Sequence, residues 1–432
     1  MIARGAESRP RVAYARSMSA RRPVPATARR AAPGVTAALL TAAVLTGCSP
    51  GGPGEQDGGG DGTGAAPSSQ ATGPAPATPG GAPDEVEVVV TGDVLLHPGL
   101  WAQAEADGRG ELDFGPLVEG LRPFTEEADL AICDMETPLA EPDGPFTGYP
   151  AFEVPPQIVP ALADIGYDAC TTATNHVVDA GTEGLERTLD VLDDAGIAST
   201  GSYRTAEEAA RPLVLDADGV RVGLVTGTYG LNGNVPDAPW RVDLLDVPQM
   251  VDKARRAREA GAEIVLAAVH AGDEYSSAPN QQQLEVTHAL ADSGKFDFVY
   301  GHHTHSVLPI EKHGDTWIVH GLGNSLSEHA PSSLAVNNEG LTVSMTFTRP
   351  AEEGGRWTAG DPVWTPHLLT LDPIRWCALP SEDVCRSPEE DAASLARTAR
   401  TVDAMGAAAD GARPWRPLVL GPAEPGVSPA RR

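Results

Sequence analysis

Apolar, β-branched runs alternate with segments of helical spacing along most of the chain from residue 85 onward. Such runs have the composition of strands buried on both faces, whereas Leu185, Leu189 and Leu192 recur at the spacing of one helix face. This alternation predicts an α/β core that is continuous from about 85 to 371. The predicted strands cover 85–92, 129–133, 168–172, 263–269 and 296–300, and the predicted helices cover 98–107, 156–165, 182–195, 247–260 and 280–293.

Hairpin signals add antiparallel strands to this core. The apolar stretches 213–216 and 220–226 bracket Ala217-Asp218-Gly219, which is a turn sequence. The stretches 306–311 and 316–321 bracket His313-Gly314-Asp315 in the same way, and further strands are expected near 340–348 and 363–371. We therefore expect a folded domain over 85–371 and a C-terminal extension over 372–432.

Short polar clusters follow the strand-like runs at the points where the predicted strands end. Because open α/β sheets bind ligands beyond the carboxyl ends of their strands, we expect these clusters to share one rim. Their carboxylate, amide and imidazole groups are the ligands that a metal-assisted hydrolase needs. The clusters are Gly92-Asp93, Asp134-Met135-Glu136, Thr174-Asn175-His176, His270-Ala271-Gly272-Asp273-Glu274 and Gly301-His302-His303-Thr304-His305.

Most of these clusters also have a purely structural interpretation. Asp93 is equally suited to capping the next helix, and the Asn-His pair at 175–176 is equally suited to a turn after a strand. Asp134 and Glu136 differ, because two buried carboxylates on one side of a strand need a cation or a basic partner. The acidic and aromatic neighbours of His270 favour a polar cleft over a histidine of the core.

The histidine motif at 302–305 is the strongest local signal. Three imidazoles within four positions repel each other when protonated, and burying them is costly without a cation to bind. Two histidines two positions apart on an extended segment point to the same side, as metal ligation requires. A solvated histidine-rich loop is the alternative. The other histidines lack such neighbours and are interpreted as structural, with His97 and His320 as possible exceptions near the rim; they are His97, His288, His313, His320, His329 and His367.

The first 84 residues predict export and membrane attachment. Residues 1–47 carry eight arginines, continue into a short apolar segment and end in Leu45-Thr46-Gly47, directly before Cys48. This is typical of a signal peptide with a lipobox, in which the Cys48 thiol receives a diacylglyceryl group whose two acyl chains suffice for stable anchoring. Residues 48–84 would form a Gly/Pro-rich disordered tether. We expect an extracytoplasmic lipoprotein on the bacterial cytoplasmic membrane, with a plain cleavable signal or a signal anchor as the alternative.

Charge and cysteine content narrow the partners. The net charge of the full chain is −29, and it would fall to −36 once residues 1–47, with eight arginines and one glutamate, are removed. Such a surface argues against nucleic acid as a partner. Cys377 and Cys385 flank a short loop of an exported protein, which favours a local disulfide. Cys133 and Cys170 lie at predicted strand ends, where small buried thiols are favoured over a disulfide pair or a metal role.

The order of the motifs resembles that of the CapA family, the poly-γ-glutamate capsule synthesis proteins of the calcineurin-like metallophosphoesterase superfamily. Six motifs spread over about 85–330 match in order. They are Thr91-Gly92-Asp93-Val94-Leu95, Asp134-Met135-Glu136-Thr137-Pro138-Leu139, Ala173-Thr174-Asn175-His176, His270-Ala271-Gly272-Asp273-Glu274-Tyr275, Gly301-His302-His303-Thr304-His305 and Gly321-Leu322-Gly323-Asn324-Ser325.

The resemblance implies a four-layer α/β/β/α sandwich of two mixed sheets with a site for two divalent metal ions, of the Mn, Fe or Zn type, between the sheets. Asp93 and His305 would hold one ion, and Asn175, His270 and His303 would hold the other. Glu136 would bridge them. His176 would be the general acid. The alignment of the last motif leaves His302 and His303 as alternatives, and Asp134, Glu274 and Asn324 are further candidates.

Two departures from the superfamily pattern weaken one side of the metal site. Leu95 stands where the superfamily has a histidine, and Glu136 replaces an aspartate. The resemblance implies a role in synthesis, export or anchoring of a poly-γ-glutamate-like polymer through hydrolytic chemistry, with capsule polymer synthase subunits as possible partners. The alternatives are a non-catalytic, membrane-anchored subunit of a synthase complex and a secreted metallophosphoesterase unrelated to capsule.

Overall fold

The computed structural model describes residues 83–327, 335–352, 354–381 and 383–416. The predicted signal peptide, Cys48 and all but the last two residues of the predicted tether lie outside these ranges, as does His329. The strands are β1 (Glu85–Val94), β2 (Leu130–Met135), β3 (Ala169–Thr171), β4 (Ala198–Thr200), β5 (Leu213–Ala217), β6 (Val220–Thr228), β7 (Ile264–His270), β8 (Phe298–His302), β9 (Ile310–His313), β10 (Thr316–Val319), β11 (Asn324–Leu326), β12 (Glu339–Thr348), β13 (Thr358–Ala359), β14 (Val363–Leu369), β15 (Trp376–Ala378) and β16 (Arg413–Pro414).

Helices connect most of these strands. In the described ranges none of them is long and apolar enough to cross a bilayer. The α-helices are α1 (Pro98–Asp107), α2 (Gly115–Val118), α3 (Arg122–Thr125), α4 (Ile158–Asp164), α5 (Gly181–Asp194), α6 (Ala206–Ala210), α7 (Val247–Glu259), α8 (Gln281–Asp292), α9 (Pro388–Val402) and α10 (Ala407–Asp410). Short 3₁₀ helices cover Glu119–Leu121, Ala335–Asn338 and Asp403–Met405.

The strands form two mixed sheets. The first contains ten strands and runs β15-β14-β12-β1-β2-β3-β4, with β11 beside β1, β13 beside β12 and β16 beside β14. Strands β1 to β4 are parallel, whereas β12 is antiparallel to β1. The second sheet runs β5-β6-β7-β8-β10-β9, in which β6, β7, β8 and β10 are parallel and the two outer pairs are antiparallel.

The two sheets pack face to face between helical layers. On β2, Leu130 and Ile132 contact the core between the sheets, while Ala131 and Cys133 pack on the outer face with helices α1, α2 and α4. On β7 the same alternation places Ile264, Leu266 and Ala268 inside and Val265, Ala267 and Val269 against α7 and α8. Because both faces of these strands are buried, their sequences read as continuous apolar runs. The predicted four-layer α/β/β/α arrangement is confirmed.

The strands that lead into the rim, β1, β2, β7 and β8, end one or two residues later than the sequence pattern predicts. Asp93 lies within β1, and His270 and His302 are the last residues of β7 and β8. Backbone pairing explains the difference, because Asp93 is in register with Asp134 of β2 and with Asn324 of β11. Polar residues therefore continue the ladder where the apolar run has already ended. The segment after residue 371 adds β15 and β16 to the first sheet.

Two disulfides cross-link the described residues. Cys377 and Cys385 are joined, with 5.9 Å between their Cα atoms. Cys133 and Cys170 are also joined, with 4.4 Å between their Cα atoms. The expectation of small buried thiols at these two positions was wrong. The two cysteines are direct register partners on the neighbouring parallel strands β2 and β3, a relationship that neither strand sequence displays alone.

Candidate metal centre

The polar clusters meet at one rim of the sandwich. Strands β1 and β2 of the first sheet and β7 and β8 of the second end there, and cross-strand pairing aligns Asp93 with Asp134 and His270 with His302. Asp93, Asp134 and Glu136 are fully buried. Within the described part of the chain, the ion-pair partners of these three carboxylates are all histidines. Three buried carboxylates without lysine or arginine partners point to a cation.

Asp93 is the best-satisfied of the three carboxylates. Nδ1 of His302 lies 2.8 Å from its Oδ1 atom, and Nδ1 of His305 lies 3.1 Å from its Oδ2 atom. The backbone N–H of His303 also donates to Oδ2, at 3.2 Å. Burial opposes the charge, but the bonds from His302 and His305 outweigh it and hold the pKa of the Asp93 carboxyl below its ordinary value. Asp93 is therefore a carboxylate that is ready to ligate a cation.

His270 connects the two sheets. Its Nε2 atom lies 2.8 Å from Oδ1 of Asn175, which follows β3, and 3.9 Å from Oε1 of Glu136. Its Nδ1 atom lies 3.3 Å from Oδ2 of Asp134. The Thr171 hydroxyl donates to the other Asp134 oxygen at 2.5 Å, which orients the carboxylate. Asn175, His270, Asp134 and Glu136 thus form one contiguous set of ligand atoms.

The histidine motif after β8 is a turn. His303 and His305 have φ values of 81° and 51°, in the left-handed region that costs a non-glycine residue about 1–3 kcal/mol. The expectation that His303 and His305 lie on an extended segment was therefore wrong. The turn places the ring of His303 with its centroid 5.1 Å from that of His270, and it leaves His302 facing Asp93. Backbone strain at non-glycine residues is found most often at functional sites.

The ligand atoms fall into two groups that each fit a cation. Within each group one ligand atom per residue lies within 4.8 Å of the others; the groups are Glu136, His303, His305 and Asp93, Asp134, His302. The resemblance instead assigns His303 to the ion that Asn175 and His270 hold, and it leaves His302 and His303 as alternatives. In the structure both histidines reach the centre.

Several of these ligand atoms have no hydrogen-bond partner although they are buried. They are Asp134 Oδ2, both Glu136 oxygens, His270 Nδ1, His302 Nε2 and His303 Nδ1. Leaving so many buried polar atoms unpaired would cost several kcal/mol, about 1–3 kcal/mol each. Divalent cations bound by imidazole and carboxylate would satisfy them, so the residues present fit the metals that the fold implies.

The electrostatics of the centre support the same conclusion. Burial raises the pKa of Glu136 well above its ordinary value, and the neighbouring Asp93 and Asp134 raise it further against the opposing effect of His305. Burial lowers the pKa of His303 to about 2. For His305 the burial effect is outweighed by Glu136 and Asp93, and its pKa rises to about 10. The crowded carboxylates thus favour positive charge, which protonated His305 provides in the metal-free protein and which a divalent ion would provide in its place.

His176 lies beside these ligands and has a partner of its own. Its Nδ1 atom lies 2.5 Å from Oδ2 of Asp179, which also accepts the backbone N–H of Phe152 at 3.0 Å. The Phe152 ring packs edge-on against the imidazole, with centroids 4.9 Å apart. Nε2 is therefore the His176 nitrogen left for a ligand. Asp179 was not among the predicted site residues; its only signal in the sequence is its position three residues after His176.

A cavity of about 350 Å³ opens above this centre. Its wall includes Leu95, His176, Glu274 and His305, and Tyr149, which is 77% exposed, lies at its rim. Leu95, which replaces the superfamily histidine, is thus a wall residue of the cavity. The arrangement provides an open space bounded by the His176 imidazole, the Glu274 carboxylate and His305 of the ligand cluster.

Two predicted candidates have distinct places at this site. Oδ1 of Asn324 lies 2.9 Å from Nδ1 of His305, and its Nδ2 donates to the backbone carbonyl of Asn337 at 2.9 Å, so Asn324 orients His305. Glu274 is the last residue of the polar cluster that begins at the end of β7, and it lines the cavity.

Comparison with protein families finds a match over most of the folded part. The family described as bacterial capsule synthesis protein PGA_cap matches residues 87–329.

The chain belongs to this family.

Curated relatives carry names from capsule and polymer synthesis. A probable polyglutamine synthesis accessory protein of Mycobacterium tuberculosis is 26% identical over 316 residues, which cover 63% of this chain and 82% of that protein. The PGA biosynthesis protein CapA of Bacillus subtilis is 27% identical over 173 residues, covering 38% of this chain and 44% of that protein. The capsule biosynthesis protein CapA of Bacillus anthracis is 24% identical over 175 residues, covering 39% and 42%.

Solved structures with a similar arrangement include the calcineurin-like phosphoesterase YfkN from Bacillus subtilis. It aligns with 13% identity and a TM-score of 0.40, covering 73% of this chain and 97% of that one. A phosphatase from Mycoplasma pneumoniae aligns with 10% identity and a TM-score of 0.37, covering 65% of this chain and 93% of that one.

Further residues of this PGA_cap family member contact the centre although the sequence pattern does not predict them. The ring of Tyr229 lies over His303 with centroids 4.5 Å apart. Nδ2 of Asn232 lies 3.4 Å from Nδ1 of His176, and its Oδ1 accepts from Asn175 at 3.3 Å. Both residues follow β6, whose end carries no polar cluster of the kind seen after the other strands. Their contribution arises only when the two sheets face each other.

Proposed function

We propose that this protein is an extracytoplasmic lipoprotein that acts on a poly-γ-glutamate-like capsule polymer during its synthesis, export or anchoring, by metal-dependent hydrolysis. Membership of the capsule synthesis family supports the capsule role, as do the names of the relatives. The observation that carries the hydrolytic part is the buried cluster of unpaired ligand atoms beneath a cavity that His176 also lines.

Two sets of residues would hold divalent ions. They are Glu136, His303 and His305 on one side and Asp93, Asp134 and His302 on the other; His270 adjoins both sets, and Asn175 is bonded to His270. Bound divalent cations lower the pKa of a coordinated water and polarise a carbonyl or phosphoryl oxygen. The donor set of imidazoles and carboxylates suits ions of the Mn, Fe or Zn type.

The protein's own residues then supply the proton and the orientation. Asp179 holds the His176 ring through Nδ1, so that Nε2 is the nitrogen that would donate a proton to the leaving atom. Phe152 packs against the ring and restricts its rotation. Asn324 holds His305 in the same manner. Contacts of this kind, made to the side of the ring that faces away from the substrate, hold a catalytic group in the orientation that hydrolysis needs.

The charge of the chain favours brief contact with a polyanion. The mature lipoprotein, without residues 1–47, would carry a net charge of −36, which repels polyglutamate at distances within the screening length, about 8 Å at physiological salt. Cations at the rim would attract a carboxylate-rich segment locally. This combination supports transient chemistry on the polymer more than tight passive binding.

Activity on defined substrates tests this proposal. We expect the full chain with Mn²⁺ to hydrolyse γ-glutamyl model amides or a phosphoester, and we expect Asp93→Asn and His176→Ala to abolish or strongly reduce turnover. Arg255→Ala, an exposed residue of α7, is the matched control and should retain the wild-type rate. Metal binding without turnover on any of these substrates would contradict hydrolysis and favour a non-catalytic subunit of a synthase complex.

The anchoring part has its own test. Mass spectrometry of the protein from its native membrane should find a diacylglyceryl group on the Cys48 thiol, and Cys48→Ala should release the protein from the membrane fraction. Cross-linking in membranes should also capture a polymer synthase subunit. An unmodified Cys48 in membrane-derived protein would contradict the lipoprotein assignment.

A further inference from the structure

A second group of histidines lies away from the rim, at the edge of the second sheet. His288 and Asp292 are one helical turn apart on α8, and Glu311 and His313 share one face of the edge strand β9. His320 directly follows β10. The sequence analysis interpreted His288 and His313 as isolated structural residues, but the structure brings them together with His320.

The contacts within this group converge on a single carboxylate. Nε2 of His288 lies 2.9 Å from Oε2 of Glu311, and Nε2 of His320 lies 2.8 Å from the same oxygen. The ligand atoms of these three residues lie within 4.8 Å of one another. The ring of His313 stacks on that of His288 with centroids 4.1 Å apart, and its Nδ1 atom lies 3.9 Å from the second Glu311 oxygen.

Burial distinguishes this group from an ordinary surface network. The His320 side chain is fully buried, and its Nε2 atom faces Oε2 of Glu311 in the interior of the group. The side chains of His288 and His313 are 30% and 28% exposed, so an ion can enter from solvent.

We propose that His288, Glu311 and His320, with His313 as a fourth donor, form a binding site for one divalent transition-metal ion of the zinc type. Three imidazoles and one carboxylate match the nitrogen-rich, four-coordinate preference of zinc rather than the oxygen ligands of Mg²⁺ or Ca²⁺. Ligand bonds of about 2.0–2.1 Å place tetrahedral ligand atoms roughly 3.3 Å apart. The two contacts to Glu311 therefore need to open by only about half an ångström.

The position of the site gives it a structural role. An ion there ties α8 to the β9–β10 hairpin, where Gln283 of α8 already donates to the His320 carbonyl at 3.2 Å. The chain continues from His320 to Asn324, which orients His305 in the rim centre. The second site thus clamps the segment that leads into the rim centre while contributing no ligand to it.

Metal titration of the full chain tests this site separately from the rim. In a His302→Ala/His303→Ala/His305→Ala background, which removes histidine ligands from both rim groups, we expect one equivalent of Zn²⁺ or Co²⁺ to remain bound. Adding His288→Ala should weaken that binding at least about tenfold, and adding His313→Ala should weaken it less. Glu285→Gln removes an exposed carboxylate from the same helix and is the matched control, with unchanged binding expected.

Three measurements define the outcome. Isothermal titration gives stoichiometry and affinity, the visible spectrum of the Co²⁺ form reports four-coordinate nitrogen-rich ligation, and circular dichroism checks that each variant is folded. Absence of tight metal binding in the rim-disabled background would overturn the proposal. The proposal would also be overturned if the folded His288→Ala and His313→Ala variants bound the ion as tightly as the rim-disabled background does. Neither result depends on whether the rim centre catalyses hydrolysis.

Discussion

Nδ1 of His176 lies 2.5 Å from Oδ2 of Asp179, and the same oxygen accepts the backbone N–H of Phe152 at 3.0 Å. Asp179 is nearly inaccessible to solvent, with a side-chain exposure of 2%. The carboxylate therefore holds the imidazole and is itself held in place by the backbone. This pair determines which nitrogen of His176 is available to a substrate.

Substitutions of His176 and Asp179 should impair the chemical step more than substrate binding. We expect His176→Ala to lower kcat by about 10²–10⁴-fold, the usual contribution of a general acid. We expect Asp179→Asn to lower kcat by about tenfold or more with little change in KM, because it affects only ring orientation and charge. Steady-state kinetics on the γ-glutamyl substrate measures both values.

Asn234→Ala is the control for this pair. Its Nδ2 atom donates to the other Asp179 oxygen at 3.2 Å, so the variant leaves the contact with His176 intact. We expect kcat within about twofold of wild type, since an exposed hydrogen bond contributes little. A larger loss in Asn234→Ala than in Asp179→Asn would contradict the assigned role of Asp179.

Glu136→Gln should have opposite effects on the metal-free and metal-bound protein. Because burial and neighbouring carboxylates raise the pKa of Glu136, its ionised form destabilises the folded metal-free state above the ordinary pKa of a glutamate. The neutral amide removes that cost. We expect the melting temperature of the metal-free variant at about pH 8 to exceed that of the metal-free wild type by at least about 2 °C.

With Mn²⁺ present the order should reverse, because the amide is a weaker ligand than a carboxylate. Differential scanning calorimetry with and without the ion measures both differences. Leu96→Ala, which affects a buried apolar residue near the same rim, should lower both melting temperatures and so provides the control. An unchanged metal-dependent gain in Glu136→Gln would contradict a ligand role for Glu136.

Burial of His367, which is not one of the rim ligands, predicts that the folded state loses stability as the pH falls. It is buried against Trp376, its Nε2 donates to the Asn324 carbonyl at 2.9 Å, and burial lowers its pKa to about 4. The unfolded chain, with a pKa of about 6.5, binds a proton first as the pH falls. Stability is therefore fully present above about pH 6.5 and decreases toward about pH 4.

His367→Gln should remove this dependence. Between about pH 7.5 and about pH 5, we expect the free energy of unfolding of the wild type to fall by about 2 kcal/mol more than that of the variant. Urea unfolding at several pH values measures the difference. Met250→Ala truncates a buried side chain of α7 in a different part of the core and changes no titrating group, so its difference from wild type should be independent of pH. A pH-independent difference for His367→Gln would refute the assignment.

The two disulfides should contribute unequally to stability. The Cys133–Cys170 bond closes a loop with a sequence separation of 37, and the Cys377–Cys385 bond closes one of 8. Loop-closure entropy predicts about 4 kcal/mol for the first and about 2.5 kcal/mol for the second. We expect the Cys133→Ala/Cys170→Ala variant to lose more free energy of unfolding than Cys377→Ala/Cys385→Ala.

Guanidinium unfolding under oxidising and reducing conditions separates the cross-link from the side-chain substitution. A reductant should destabilise the wild type, should affect each double variant only through its remaining disulfide, and should have no effect on the variant lacking all four cysteines. A larger reductant effect on the Cys133→Ala/Cys170→Ala variant than on Cys377→Ala/Cys385→Ala would contradict the predicted order.

Local pattern accounts for much of this molecule. The apolar runs that became β1, β2, β7 and β8 are readable because both faces of these strands are buried, which removes the polar alternation of a half-exposed strand. The ends of the runs mark the rim, since the ligand clusters begin where the apolar residues stop. Helix bounds were predicted to within one or two residues where helical spacing and a capping residue coincide, as in α8 with Asn280.

Relationships between distant segments required the folded chain. The pairing of Cys133 with Cys170 follows from the register of β2 and β3. The turn at His303 and His305 follows from positive φ values that the residue types of the motif do not predict. The Glu311 contacts of His288 and His320 arise because α8 packs over an edge hairpin. Burial and periodicity can be read from the apolar pattern of a short stretch of sequence. Strand register, a positive φ at a non-glycine residue and the placement of a helix depend instead on packing energies summed over the whole structure.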